Sequence, residues 1–208
     1  MKKILYLLFC LWLAPVNIGC NKHHHKKYII LQPLGGYPDK ETRMLRLGLL
    51  KIYNADIHIA KSIPLPVTAH YKAQNRYNAD GLLAFLSDKK GDAYTVIGFT
   101  DQDIFTSKNN QPHWGIMGLG TLNADASIVS TFRLHRGITM GGELLKLTAH
   151  ELGHNFGLTH CADKTCIMAD AEGHNNFYRE TGLCANCRQK LIDKGIISTD
   201  TDIKTIFQ

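Results

Sequence analysis

The chain has 208 residues, a length that favours one domain with a packed core. Its 44% hydrophobic and 20% charged residues exclude an intrinsically disordered chain and a protein with several membrane spans. The net charge of +6 would suit a nucleic-acid partner, but five lysines among the first 27 residues supply most of that excess. We therefore predict no nucleic-acid binding.

The first twenty residues predict a signal peptide. Two lysines precede an apolar stretch from Ile4 to Pro15, which is too short to span a bilayer comfortably. The segment ends with a small residue and Cys20, which resembles the cleavage and lipidation site of bacterial lipoproteins, although Asn17 departs from the usual aliphatic residue. We expect an exported protein of the cell envelope, attached to a membrane only through a lipid on Cys20. A plain cleaved signal and an uncleaved anchor are the alternatives.

The rest of the chain is predicted to form a tether over 21–27, a folded domain over 28–192 and a C-terminal tail over 193–208. The tether carries three histidines and three lysines and is expected to be solvated. In chain order, the folded part predicts a strand at 28–34, a helix at 38–53, a strand at 57–64, a helix at 78–87, strands at 94–100, 114–122 and 126–134, and helices at 143–156 and 185–194. On the first helix, five aliphatic residues are expected to form the buried face: Leu45, Leu47, Leu49, Leu50 and Ile52. This order implies an α+β fold with a mixed sheet flanked by helices.

The strongest chemical signal is the sequence His-Glu-Leu-Gly-His that begins at His150. Residues four apart share one face of a helix, so His150 and His154 can bind one ion. Glu151 is displaced around the helix from that face. It can therefore meet a metal-bound water without ligating the metal.

Gly157 and His160 extend this motif. A glycine at this position lets the helix end and the backbone turn sharply, which can return His160 to the same ion. Three imidazoles and one water leave an open coordination position, which is typical of a catalytic zinc site.

Four cysteines follow the histidine motif. Cys161 and Cys166 are five apart, and Cys184 and Cys187 form a Cys-x-x-Cys pair. Two close thiol pairs separated by a loop predict a tetrahedral zinc site with four thiolate ligands. Two disulfides are the alternative, which the export signal favours because oxidising compartments promote disulfides.

The combined pattern resembles the signature of the archaemetzincins, a family of zinc metallopeptidases in the metzincin clan. In this chain the histidine motif is followed directly by Cys161, then by Cys166-x-Met168, then by Cys184-x-x-Cys187. The likeness extends from about residue 28 to residue 191.

This resemblance implies a metzincin-like α+β fold: a mixed sheet with flanking helices, an active-site helix and a small zinc-stapled C-terminal subdomain. It also implies two zinc ions per chain, one catalytic and one structural. The implied roles are catalytic zinc ligation by His150, His154 and His160, general base catalysis by Glu151, structural zinc ligation by Cys161, Cys166, Cys184 and Cys187, and a Met-turn at Met168 beneath the catalytic metal.

We therefore expect a zinc-dependent metallopeptidase that acts as a monomer on a peptide or protein substrate. Within the strand predicted over 114–122, the run from Trp114 to Gly120 is the candidate edge that holds the substrate in extended form. The resemblance includes short motifs around Arg76, Asp103 and Arg133, of which the last two either orient that strand or pair with neighbours. The alternative function is a zinc-stabilised protein that binds a peptide or partner without cutting it. In that case a cysteine, with Cys161 next to His160 as the main candidate, or a loop closes the fourth metal position.

Overall fold

The structure is a computed structural model that describes residues 28–137, 139–171, 174–201 and 206. The predicted signal peptide, Cys20 and the tether lie outside the described residues. The strands are β1 (Tyr28–Pro33), β2 (Asp56–Ile59), β3 (His70–Tyr71), β4 (Arg76–Asn78), β5 (Thr95–Thr100), β6 (Ile104–Lys108), β7 (Gln111–Ile116), β8 (Gly118–Gly120) and β9 (Ala126–Ser130). The helices are α1 (Asp39–Ile52), α2 (Ala79–Ser87), α3 (Met140–Asn155) and α4 (Ala185–Asp193).

The main sheet has five strands in the order β2-β1-β5-β9-β8. The first four run parallel, and β8 pairs antiparallel with β9 at the edge. Every residue of β5 and β9 is buried, as expected for parallel strands that are covered by helices on both faces. Residues of α1, α3 and α4 share one hydrophobic cluster with this sheet, and residues of α2 share a second one. The predicted mixed sheet with flanking helices is confirmed.

A second, four-stranded sheet in the order β3-β4-β6-β7 was not predicted. The prediction of a single strand over 114–122 is wrong, because the strand is interrupted at Met117. Residues up to Ile116 pair with β6 in the small sheet, whereas β8 pairs with β9 in the main sheet. As a result, β7 at the edge of the small sheet and β8 at the edge of the main sheet follow each other directly in the chain.

The expected buried face of α1 is only partly correct. Leu45, Leu49 and Ile52 are buried, but Leu47 is 53% exposed and Leu50 is 38% exposed. Each residue turns a helix by about 100°, so Leu47 points away from the face that Leu45 and Leu49 share.

The described residues between α3 and α4 form no named helix or strand, only isolated bridges at Cys161 and Cys166. Beyond α4, Ile196 and Ile197 join the main hydrophobic cluster, so the packed part of the chain extends past residue 192 into the segment expected to be a tail. Within the described residues, no helix combines the length and apolar composition needed to cross a bilayer.

Candidate active site and metal centres

The first two histidines of the motif are held on one side of α3 by backbone carbonyls. His150 Nδ1 lies 2.6 Å from the carbonyl oxygen of Ile167, and His154 Nδ1 lies 2.8 Å from that of Leu158. A carbonyl only accepts, so each Nδ1 carries the ring proton and each Nε2 keeps its lone pair. The two Nε2 atoms lie 3.1 Å apart.

His160 reaches the same place because the chain turns sharply after α3. Gly157 has a φ of +88°, a left-handed conformation that strains other residues. The ring centroid of His160 lies 5.4 Å from that of His150 and 4.9 Å from that of His154. One nitrogen of each ring lies within 4.8 Å of the others. The predicted histidines are therefore brought together, close enough to share one ion.

The surroundings of this histidine cluster fit a divalent cation. Burial, together with the neighbouring His154, lowers the pKa of His150 to about 4, so its ring is neutral at pH 7. Two facing lone pairs with no proton between them repel one another, and a cation bound there removes the repulsion. Three neutral imidazoles are the donor set that zinc takes at many catalytic sites.

Glu151 lines the same cleft and is closely covered by β8. Its carboxylate is buried, which raises its pKa to about 8, and it accepts a hydrogen bond from the backbone N–H of Gly120. A Cβ atom at Gly118 would overlap Glu151 Oε1, and one at Gly120 would lie 3.0 Å from Oε2. The close approach that these two glycines permit is to Glu151.

Met168 packs against α3 between the two helical histidines. Its side chain is fully buried, and a Cβ atom at Gly153 would overlap Met168 Sδ and lie 3.1 Å from Cε. A glycine inside a helix costs about 1 kcal/mol relative to alanine. Gly153 carries this cost in α3, but its lack of a Cβ atom lets the Met168 thioether contact the helix backbone directly.

The four cysteines form a second cluster, and each of them is a free thiol. Cys161 Sγ and Cys184 Sγ lie 3.7 Å apart, well beyond the roughly 2.05 Å of a disulfide. All four Sγ atoms lie within 4.8 Å of one another, and backbone N–H groups donate to the sulfurs of Cys166 and Cys184. Four converging sulfurs fit a structural zinc ion. Cys161 groups with the other thiols, which removes the main support for a blocked fourth position at the histidines.

The three histidines and Glu151 open into one cleft of about 590 Å³. The run from Trp114 to Gly120, which contains the end of β7 and all of β8, lines it on one side. The segment after Met168 also lines it, with Ala169, Phe177 and Glu180 among its residues. The cleft therefore combines the candidate metal site with a sheet edge.

An ion-pair network supports β7. Asp103 Oδ2 lies 2.8 Å from Arg76 Nε and 2.9 Å from Arg133 Nη2. Arg76 also donates to the carbonyl of His113 at 2.9 Å, and a Cβ atom at Gly115 would overlap the Arg133 guanidinium. Of the two interpretations of Asp103 and Arg133, the pairing with neighbours is observed, and it lies directly against this strand.

Comparison with known proteins shows which protein family this chain resembles. The model of peptidase family M54 matches residues 66–193, more than half of the chain. The archaemetzincin of Methanopyrus kandleri is 31% identical over 137 residues, which cover 63% of this chain and 74% of that protein. The chain belongs to peptidase family M54. This confirms the predicted archaemetzincin family, and the chain is a zinc metallopeptidase.

Other archaemetzincins agree in sequence and fold. That of Haloquadratum walsbyi is 26% identical over 171 residues, covering 76% of this chain and 96% of the relative. The crystal structure of the Methanopyrus kandleri archaemetzincin has a TM-score of 0.71 at 24% identity, over 83% of this chain and 97% of that one. The Archaeoglobus fulgidus archaemetzincin, complexed with malonate, has a TM-score of 0.67 at 24% identity, over 78% and 99%. These likenesses confirm the expected metzincin-like fold.

Sequence reasoning missed the residue that anchors the C-terminal end of α3. Asn155 is buried, and its Oδ1 accepts hydrogen bonds from the hydroxyls of Thr95 and Ser127, both at 2.9 Å. Its Nδ2 donates to the carbonyl of Ala126 at 3.1 Å. These bonds tie the last turn of α3 to β5 and β9. The only signal in the sequence is a polar residue directly after His154, among residues that pack in the core.

Replacing Gly153 with alanine tests how closely Met168 packs against α3. Alanine has the higher helix propensity by about 1 kcal/mol. We nevertheless expect Gly153→Ala to lower the free energy of unfolding by about 1–3 kcal/mol, because the added Cβ atom overlaps the thioether. Gly141→Ala on the same helix is the control, since its Cβ atom would meet nothing within 4 Å. Urea unfolding measures the stability of both variants and of the wild type. A free energy of unfolding for Gly153→Ala equal to that of the wild type would contradict the close packing of Met168.

Proposed function

We propose that this zinc metallopeptidase binds its catalytic zinc through His150, His154 and His160 and uses Glu151 as the general base. The observation that carries the proposal is the 3.1 Å separation of the two helical Nε2 atoms, whose lone pairs face each other beside a buried carboxylate. When bound, zinc lowers the pKa of a coordinated water and polarises the substrate carbonyl. The substrate class is peptides or proteins.

Glu151 is suited to moving a proton. Burial raises its pKa to about 8, so its carboxylate has a greater proton affinity than that of an exposed glutamate. The N–H of Gly120 fixes the carboxylate under β8. In the proposed reaction one Glu151 oxygen takes a proton from the attacking water. The same oxygen then donates that proton to the departing amine nitrogen.

The sheet edge at β8 is suited to hold the substrate. Strand β8 ends the five-stranded sheet, and its partner β9 lies on one side only. An extended peptide can add to the other side of β8 through backbone hydrogen bonds, which require no particular side chains. The peptide then lies beside Glu151, whose carboxylate packs against Gly118 and Gly120 of the same strand.

The variant Glu151→Gln tests the general base. We expect zinc content to be unchanged and turnover to fall by about 100- to 10,000-fold, because the amide cannot accept the proton of the attacking water. Mass spectrometry of a digested peptide library measures turnover, with a chelator-treated sample as the blank. Glu41→Gln on α1 is the matched control and should keep full activity. Unchanged cleavage by Glu151→Gln would refute the assignment.

We extend the proposal to a second zinc ion held by the four cysteines. Four sulfurs within 4.8 Å of one another support it, as do the backbone N–H groups that stabilise negative charge on those sulfurs. The site would hold together the chain between α3 and α4, whose described residues pair only through isolated β-bridges such as those at Cys161 and Cys166.

Metal analysis of the reduced protein tests this stoichiometry. We expect two zinc ions per chain in the wild type and about one in His160→Ala. We also expect about one in Cys187→Ser, which should lose stability as well because its site joins separate segments. Inductively coupled plasma mass spectrometry together with thiol titration makes the measurement. One zinc ion per wild-type chain together with four oxidised thiols would contradict the structural zinc site and indicate two disulfides instead.

We also propose that residues 1–20 direct export, that Cys20 carries a lipid, that residues 21–27 form the tether, and that the mature chain is a monomer. The support is the order of charged, apolar and small residues that ends at Cys20. In a bacterial host, detergent-phase partition should retain the wild type and release Cys20→Ser to the aqueous phase. Cys10→Ser, within the apolar stretch, is the control and should partition as the wild type does. A wild-type protein found only in the aqueous phase would contradict lipidation.

A further inference from the structure

The active-site cleft contains an acidic residue that the proposed chemistry does not use. Glu180 lines the cleft together with His150 and Glu151, yet only 5% of the residue is exposed. Its Oε2 atom is buried and makes no hydrogen bond to any described residue. Leaving such an atom unpaired is costly, typically about 1–3 kcal/mol. A partner from outside the chain would remove this cost.

The neighbouring lysine does not supply that partner. Lys146 Nζ donates to the backbone carbonyls of Phe177 and Glu180, each at 2.7 Å. These two bonds fasten the segment 177–180 to α3 and so fix where the Glu180 side chain begins. The lysine therefore positions the backbone, and its two hydrogen bonds go to carbonyl oxygens and not to the Glu180 carboxyl group.

The charge of Lys146 acts on Glu180 without a hydrogen bond to its carboxyl group. Glu143 also faces this ammonium group, but it has partners of its own, since its Oε1 lies 2.6 Å from His135 Nδ1 and its Oε2 accepts from Asn175. Burial raises the pKa of Glu180 to about 7, while Lys146 opposes that rise. A second cation beside Glu180 would stabilise the carboxylate form.

The neighbours of Glu180 in the cleft favour a long side chain. Leu147 lies one turn before His150 on α3, and both Leu147 and Phe177 line the cleft. An apolar wall with a carboxylate fits a side chain that has a methylene stem and a charged end. On the other side of the cleft, the Arg133 guanidinium is already paired with Asp103.

We infer that Glu180 determines substrate specificity by binding the ammonium or guanidinium group of a lysine or arginine side chain next to the scissile bond. The stem of that side chain packs against Leu147 and Phe177. The inference rests on the proposed function, since it places the substrate in the same cleft. A free α-amino group of a peptide has the same chemistry and is the rival source of the cation.

Matched peptides test the inference in the zinc-loaded, full-length protein. Internally quenched peptides carry lysine, arginine, norleucine or glutamate on either side of the scissile bond, with a blocked or a free N-terminus. Norleucine keeps the stem of lysine but lacks its charge. We expect blocked lysine and arginine peptides to exceed norleucine peptides in kcat/KM by about 10- to 100-fold. Glu180→Gln should remove this preference and leave norleucine cleavage within about threefold of the wild type, whereas Glu41→Gln should keep the preference.

Binding to the Glu151→Gln variant separates this inference from the proposed reaction. In that background, fluorescence anisotropy should show the lysine peptide binding at least about tenfold more tightly than the norleucine peptide. The difference should vanish in Glu151→Gln/Glu180→Gln. Equal binding and equal cleavage of the two peptides would overturn the specificity role while leaving the peptidase intact. A preference that follows the free N-terminus and ignores the side chain would overturn it as well. If no peptide is cleaved but the lysine preference in binding persists, the specificity role stands and the proposed reaction fails.

Discussion

The lone pairs of two imidazole rings face each other across 3.1 Å in this protein, and backbone carbonyls outside the helix keep them there. The carbonyl of Leu158 lies in the turn that Gly157 makes possible, and the carbonyl of Ile167 comes from the irregular chain that follows. The helix supplies the spacing of the rings, but later segments decide which nitrogen carries the proton. Such partners orient metal ligands and raise their basicity. The site therefore depends on the chain after α3 as much as on α3 itself.

Helix α3, which carries the candidate site, is in turn fixed from three directions. Asn155 bonds its last turn to two central strands, Met168 packs against its middle, and β8 lies against the Glu151 carboxylate. In the last two contacts a glycine allows an approach that a Cβ atom would prevent. The strand that would carry the substrate is thus in contact with the group that would move the proton. Displacement of this strand would alter proton transfer without any change in the histidines.

The sequence predicted the parts of this architecture that depend on regular local spacing. Helical periodicity locates His150 and His154 on one face, and long apolar runs locate the central strands. The small second sheet escaped prediction because β3 and β4 have only two and three residues, too few for a pattern. Leu47 is exposed because its angle around α1, and not its residue type, decides which face it joins. The position of Glu180 depends on an irregular segment held by Lys146, for which no periodicity exists.

Three consecutive residues connect the thiol cluster to the histidine cluster. Cys166 provides a sulfur to the thiols, the carbonyl of Ile167 accepts the Nδ1 proton of His150, and the thioether of Met168 supports α3. Formation of a disulfide at the thiols would shorten a sulfur separation such as the 3.7 Å between Cys161 and Cys184 to about 2.05 Å. Ile167 directly follows Cys166, so a disulfide that displaced Cys166 would also displace the carbonyl that orients the ring of His150. The two clusters are thus joined through a single peptide group, and the orientation of the His150 ring depends on the same stretch of backbone that carries a thiol of the other cluster.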